Sequence, residues 1–428
     1  MLEITIVTLI LFIALLLGSV WVGLSLFGVG YLLMAIFKPN VPLAIFSGKL
    51  MWSSATSLEL LALPLFVLMS EILVTARLSR SLFTGLSPWV SRFPGGLTHI
   101  NVAGSTLFAA VSGSSAATTA IVGKVTLSEL LARGYDKNLS IGSLAGAGTL
   151  GFLIPPSIIM IIYGVVAEQP ILELFVAGIV PGLLLAVFYS TYIGLHQLIT
   201  RKGPPQETYT WSDRWRGLRE IGPIAALIVG IMTSLYAGLA SPTELAAVGV
   251  SGAIIISVLR RTLTFRALWQ AGVNAVRTSA MMGLIILGAS VLNAALGFLG
   301  LPKFIAGEIS AMHLAPFVLI AVLLLFYVVI GMFLDGTSII VMTLPVTLPL
   351  VIGAGFDPIW FGIFVIVAVE ISQITPPIGF NLFVIQSQTG EPMSRLVKAV
   401  TPFFLIMVAF ALLLAIFPQI VLWLPSAM

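Results

Sequence analysis

Thr375-Pro376-Pro377-Ile378-Gly379-Phe380-Asn381 interrupts an apolar run that would otherwise read as one helix, and Ile154-Pro155-Pro156-Ser157 does the same earlier in the chain. Two consecutive prolines remove backbone donors and push the preceding residue out of the helical region, so each site predicts an unwound point. The shift that lays Ile154 on Thr375 also lays Val180-Pro181 on Thr401-Pro402. Nearly the same shift lays Ser112-Gly113-Ser114-Ser115 on Asp335-Gly336-Thr337-Ser338, and residues 19–24 on 241–246. Paired features in one order predict a duplicated chain with halves over 1–200 and 221–428.

Both sites lie in apolar surroundings. Of the 428 residues, 59% are hydrophobic and 8% charged, where a soluble domain carries about 25% charged residues. Apolar runs long enough to cross a hydrocarbon layer of about 30 Å recur along the chain. Residues 320–330 and 403–416 do not alternate, which argues against a transmembrane barrel and for helices. The expected fold class is an all-α polytopic membrane protein. Cysteine is absent, so disulfides, thiolate metal sites and a cysteine nucleophile are excluded. A net charge of +4 is small for this length, and the basic residues stand beside apolar spans, which suits membrane topogenesis and not nucleic-acid binding. Residues 4–37 exceed the usual apolar region of a signal peptide and lack a basic start, so they read as retained membrane helix.

The distribution of Lys and Arg orients the chain. The polar stretch 201–220, with Arg201, Lys202, Pro204, Pro205, Trp211, Arg214, Trp215, Arg216 and Arg219, is expected to be a cytoplasmic amphipathic linker. Two crossings then return Arg260, Arg261 and Arg266 to the cytoplasm. Making 316–352 a re-entrant hairpin from the outside, with 358–386 as a broken crossing helix, keeps Arg395 and Lys398 inside. In the first half, hairpin 95–122 and broken helix 138–165 keep Arg77, Arg80, Arg92, Lys124, Arg133 and Lys137 inside. Both termini then lie on the periplasmic side. An odd number of crossings per half inverts the repeat, as alternating-access transporters commonly require. Residues 41–54 and 262–277 are expected to lie flat along opposite membrane faces.

Irregular backbone at membrane depth is tolerated only against protein or a wet cavity. The tip Ser112-Gly113-Ser114-Ser115 offers hydroxyls, freed carbonyls and a helix N-terminus, the oxygens an alkali cation takes and the dipole an anion takes. Close packing by small residues is the competing reading. In the second tip Asp335 sits between apolar runs, where insertion costs about 2.5–3.5 kcal/mol and normally marks an ion or proton path. No Lys or Arg is expected in the neighbouring spans. Glu59, Glu71, Glu244 and Glu370 also stand in or near apolar stretches. Of these, Glu244 after Ser241-Pro242-Thr243 is expected to cap a helix. His99, His196 and His313 are scattered, which does not suggest a metal site.

With these residues assembled, the chain resembles the large membrane subunit of tripartite ATP-independent periplasmic (TRAP) transporters. The likeness runs through Leu63-Pro64-Leu65-Phe66, Phe93-Pro94-Gly95-Gly96-Leu97, the Ser112 to Ala117 tip, Ile154-Pro155-Pro156-Ser157, Ser241-Pro242-Thr243-Glu244, Gly331-Met332-Phe333-Leu334-Asp335 and Thr375 to Phe383. The resemblance implies an elevator-type transporter coupled to sodium ions, with no further cofactor. It implies a small four-helix membrane subunit and a periplasmic substrate-binding protein as partners, in a bacterial inner membrane. It implies one sodium ion held by Ser112 and Ser114 with Gly151, Ile154 and Pro156. A second would be held by Asp335 and Thr337 with Ser372, Thr375 and Pro377. The organic acid anion, of dicarboxylate, keto acid or sugar acid type, would lie against Ser115, Thr337, Pro156, Pro377, Gly379 and Asn381. No arginine is expected in that pocket's walls, which leaves a substrate carboxylate to helix N-termini and hydroxyls.

Two other readings are open to the same residues. A stand-alone sodium/anion symporter would need no binding protein. A membrane-embedded serine hydrolase would use Ser112 or Ser114 as nucleophile and Asp335 as acid, but neither a histidine nor a lysine is placed to serve as base.

Overall fold

The computed structural model describes residues 1–75, 78–200, 208–311, 315–377 and 379–427. Arg77, Arg201, Lys202, Pro204, Pro205, His313 and Ile378 lie outside them. Among the described residues the chain is helical with no strand. The first half begins with α1 (Leu2–Leu17), α2 (Val22–Phe37), α3 (Leu43–Ala55), α4 (Ala62–Thr75) and α5 (Leu78–Val90). There follow α6 (His99–Ser112), α7 (Ser115–Ala132), α8 (Lys137–Gly148), α9 (Leu150–Leu153), α10 (Ile158–Ala167) and α11 (Ile171–Thr200). Beyond the linker come α12 (Trp211–Tyr236), α13 (Pro242–Leu259), α14 (Phe265–Leu299), α15 (Leu301–Ala311), α16 (Pro316–Gly331) and α17 (Gly336–Gly353). The chain closes with α18 (Pro358–Gln373), α19 (Phe380–Thr389), α20 (Met393–Ile416) and the single turn α21 (Gln419–Leu422). Six of these helices are long and apolar enough to span a membrane, and α8–α9 with α10 make a seventh when taken as one span bent by 41°.

Local chemistry explains where the helices start and stop. Ser241 and Glu244 form a reciprocal capping box at α13, with Glu244 Oε2 accepting from Ser241 N at 2.7 Å. Asp357 opens α18 by accepting from Ile359 N (2.7 Å) and Trp360 N (3.0 Å), and Pro358 occupies the first turn where its missing donor costs nothing. At the other end of α18 and after α9, the double prolines break the helix, and in both the Pro–Pro bond is cis.

The core is built around α18. Every residue from Ile359 to Gln373 is buried, the pattern of a helix apolar on all faces and enclosed by others. It packs against α9, α10, α11, α16, α17 and α20. The large aromatic groups there are anchored by polar tips: Tyr163 donates to the Pro358 carbonyl at 2.6 Å, and Trp360 Nε1 to that of Leu414 at 3.0 Å. Small residues bring other helices together at backbone distance. A Cβ on Gly23 of α2 would lie 2.7 Å from the Leu284 carbonyl carbon of α14, so nothing larger fits the crossing.

The two pieces expected to lie along the membrane faces differ. Residues 43–55 form the separate helix α3, but residues 265–277 are the first turns of α14. At 35 residues and about 1.5 Å per residue, α14 is about 50 Å long. No glycine-proline break interrupts it after Arg277, so the amphipathic stretch and the apolar span continue as one rod. Likewise the end of the 201–220 stretch is already helical, since α12 begins at Trp211 behind its Thr210–Asp213 capping box.

Candidate functional site

Two helix pairs fold back on themselves and point their tips at the two broken helices. In the first pair, α6 ends at Ser112 because Gly113 adopts the left-handed conformation (φ 56°), which costs little without a Cβ. Ser114 is extended and caps α7, its Oγ accepting from Ala117 N at 3.4 Å. Three oxygens close into a triangle there. Thr118 Oγ1 lies 2.8 Å from Ser112 Oγ and 2.8 Å from the Ser114 carbonyl, and Ser112 Oγ lies 3.3 Å from that carbonyl. Ile158 N donates to the Gly113 carbonyl at 3.3 Å, joining the tip to α10. The contact with α9 is closer: a Cβ on Gly151 would stand 2.6 Å from the Ser114 carbonyl oxygen. Ser112, Ser114, Gly151 and Pro156 are therefore brought together, and Ile154 is buried one turn away.

Ser115 faces the other half of the chain. Its hydroxyl lies 2.7 Å from Glu370 Oε2 on α18 and 3.1 Å from the Gly148 carbonyl, and it accepts from Asn381 Nδ2 of α19 at 2.8 Å. Glu370 Oε1 accepts from Phe152 N at 3.1 Å. The carboxylate is 1% exposed. Enclosing such a group costs several kcal/mol, and these hydrogen bonds offset part of it. Beside this network, Thr119 Oγ1, Ser157 Oγ, Asn381 Oδ1 and Gln373 Nε2 are buried without a hydrogen-bond partner. Orphaned polar atoms are uncommon in a folded interior, and those of Thr119 and Asn381, which meet at Gly148 beside Ser115, suit a site that receives polar cargo.

Glu370, Thr119 and Ser157 were not among the expected site residues. The signal for Glu370 was available, because it is the one charged residue within Ile359–Gln373 and stands as deep in an apolar run as Asp335. Nothing in the sequence distinguishes Thr119 from its neighbouring hydroxyls, since only the approach of Gly148 and Asn381 makes it part of the junction.

The second tip is more open. Asp335 caps α17, accepting from Ser338 N at 3.1 Å and from the Ser338 hydroxyl. Tyr327 on α16 holds the two arms together, its hydroxyl lying 2.8 Å from Thr347 Oγ1 and 2.9 Å from Thr343 Oγ1. Thr337 and Ser372 are buried, with Ser372 directly against Gly331. A Cβ on Gly336 would lie 2.9 Å from Val369, so this tip meets the end of α18 by packing. The hydroxyls of Ser372 and Thr375 bond back to carbonyls of their own helix, those of Val369 and Ile371. No hydrogen bond joins Asp335 to Thr337, Ser372 or Thr375 among the described residues. Pro377 is exposed, while Gly379 is buried and donates to the Thr375 carbonyl at 3.0 Å.

One expectation is corrected here. Asp335 does have a basic neighbour, because Arg277 of α14 lines the same cavity of about 950 Å³, together with Ser19, Trp21, Leu284 and Ser338. The sequence placed Arg277 at the end of a surface-lying piece. Continuity of α14 instead carries it alongside α17.

Comparisons with known proteins agree with this architecture. Residues 9–420 match the family described as tripartite ATP-independent periplasmic transporter, DctM component. The C4-dicarboxylate TRAP transporter large permease protein DctM of Pseudomonas aeruginosa is 32% identical over 86% of this chain and 86% of its own length. The ectoine TRAP transporter large permease protein TeaC of Halomonas elongata is also 32% identical, with 86% of each chain covered. Among solved structures, the YdaH transporter of Alcanivorax borkumensis superposes with a TM-score of 0.58 at 14% identity, covering 83% of this chain and 85% of that one. At that identity the likeness concerns the fold alone.

Proposed function

Because this chain belongs to the DctM-component family of tripartite ATP-independent periplasmic transporters, we propose that it drives uptake of an organic acid anion across a bacterial inner membrane by coupling to sodium ions. It is the large membrane subunit of such a system and not an enzyme. Large permeases work with a small membrane subunit and a periplasmic binding protein. The outward apolar faces of α12 and α13, with Val229, Val248, Ile255 and Leu259 exposed, suit lipid and the small subunit.

The observation that carries the reading is the junction of Ser115, Glu370, Phe152 and Asn381. It ties the first hairpin tip to both broken helices, and the second tip packs beside it through Gly336 against Phe152 and Val369, an arrangement that suits the moving part of an elevator. In this reading the two halves are inverted copies, and both chain ends are periplasmic. The oxygen triangle of Ser112, Ser114 and Thr118 offers hard ligands for one sodium ion, with the Gly151 to Pro156 backbone beside it. Asp335, with Thr337, Ser372, Thr375 and Pro377, would serve a second once the tip closes. The anion would lie at the junction against Ser115, Asn381, Pro156 and Gly379, with Thr337 and Pro377 on the far side. Relatives named for C4-dicarboxylates and for 2,3-diketo-L-gulonate point to small carboxylate-bearing cargo.

The test is uptake by proteoliposomes holding this chain and its small subunit, with the binding protein loaded with candidate anions. Uptake that follows an inward sodium gradient supports the proposal. Equal uptake with potassium in place of sodium overturns the coupling. Equal uptake without the binding protein favours the stand-alone symporter.

A further inference from the structure

The cavity between α2, α14 and the start of α17 has a composition that membrane-embedded walls rarely show. Most of it is apolar, from Trp21, Met281, Leu284 and Ile285, yet it contains one guanidinium and one carboxylate. Asp335 is already engaged with Ser338. Arg277 is exposed and, among the described residues, forms neither an ion pair nor a hydrogen bond. An exposed guanidinium with no partner of its own is available to an anion. A guanidinium offers a planar fork that matches a carboxylate with two parallel bonds, and a cavity of about 950 Å³ is within the range that encloses small ligands.

We infer that Arg277 and this cavity form a second station for the cargo, in which the guanidinium holds a carboxylate of the anion after it leaves the Ser115–Asn381 junction. The inference rests on the transport reading above. One wall is fixed, since α2 and α14 cross at backbone contact through Gly23 and Gly288. The other wall is the tip that carries Asp335, part of the unit proposed to move. An anion passing between the two walls exchanges the hydroxyls of one for the guanidinium of the other.

The chain has no cysteine, so Ala280→Cys, three residues after Arg277 and exposed on the same wall, introduces a single reporter thiol. The complex with its small subunit is placed in phosphatidylcholine nanodiscs and treated with an anionic and a cationic methanethiosulfonate reagent, each rate being normalised to free cysteine. The anionic reagent is expected to be favoured by about tenfold, and Arg277→Gln in the same background should abolish the preference. Millimolar succinate should slow labelling severalfold with Arg277 present. The protection should be lost in Arg277→Gln and weakened in Arg277→Lys, which keeps the charge but not the fork.

A charge preference or a succinate effect that is the same with and without Arg277 overturns the inference. So does labelling that slows only when phosphatidylglycerol is added and ignores succinate, which would assign the guanidinium to a lipid headgroup. Labelling does not depend on a sodium gradient, so these outcomes stand apart from success or failure of the uptake experiment.

Discussion

Ser115 and Glu370 share a hydrogen bond of 2.7 Å although 255 residues separate them. One opens the helix behind the first tip and the other lies near the end of the buried α18, so this contact joins the two halves of the chain where both are broken. Its partners Phe152 and Asn381 come from the two elements flanking the double-proline sites.

Replacing Glu370 therefore tests the junction. Glu370→Ala leaves Phe152 N without its acceptor and opens a small void, and is expected to cost about 2–3 kcal/mol. Glu370→Gln retains an acceptor for Phe152 and should cost less than half as much. Thermal unfolding in detergent checks both, and equal midpoints for wild type and Glu370→Ala would show that the buried contact contributes nothing to cohesion.

Gly151 lies against the Ser114 carbonyl with no room for a Cβ. Gly151→Val is expected to push the tip away from α9 and cost about 1–3 kcal/mol by overpacking. Sodium-dependent uptake should fall by at least tenfold in vesicles normalised for protein. Normal uptake by this variant would show that the tip and α9 need not touch.

Asp335 both caps α17 and carries charge, and Asp335→Asn separates the two roles because asparagine caps about as well as aspartate. Stability should change by less than about 0.5 kcal/mol, while the sodium concentration for half-maximal uptake should rise about tenfold or more. An unchanged sodium dependence would leave Asp335 as a cap only.

Glu391, in the loop between α19 and α20, pairs with Lys137 at the start of α8 and with Arg395 at 2.7 Å. The hydrogen bond from Lys137 is the main cause that holds its carboxyl below the usual glutamate range, with Arg395 adding to it. Since the folded value is depressed, the stabilisation is present above the unfolded value of about 4.3 and is lost as pH falls below it. The melting temperature of the wild type should exceed that of Glu391→Gln at pH 7, and the gap should close below about pH 4.3. A gap that is constant across this range would remove the ion pair as its cause.

Much of the local punctuation was legible from residue types. The breaks at Pro155-Pro156 and Pro376-Pro377, the turn at Gly113 and the Ser241–Glu244 box are decided within a few residues by missing donors, a missing Cβ or a side-chain acceptor, whereas Asp335, expected on an ion path, also caps α17. The grouping of Ser112, Ser114, Gly151 and Pro156 was anticipated through resemblance to a family and is reproduced by packing. Glu370 was seen as a carboxylate in an apolar run but not ranked, because the residues that satisfy it lie on α7 and α9 in the other half. Arg277 was misplaced for a related reason. An amphipathic stretch looks the same whether it ends at a bend or runs on into a 35-residue helix.

By itself, the sequence determined that this chain is helical and predominantly apolar, where its helices break, and which oxygens the breaks release. These outcomes depend on backbone geometry and on transfer from water, which act over one or two helical turns. Only the tertiary structure decided that Glu370 closes on Ser115 and that Arg277 and Asp335 face a common cavity. Those pairings depend on which helices lie side by side, and that is set by the summed packing of small residues at crossings such as Gly23 with Leu284.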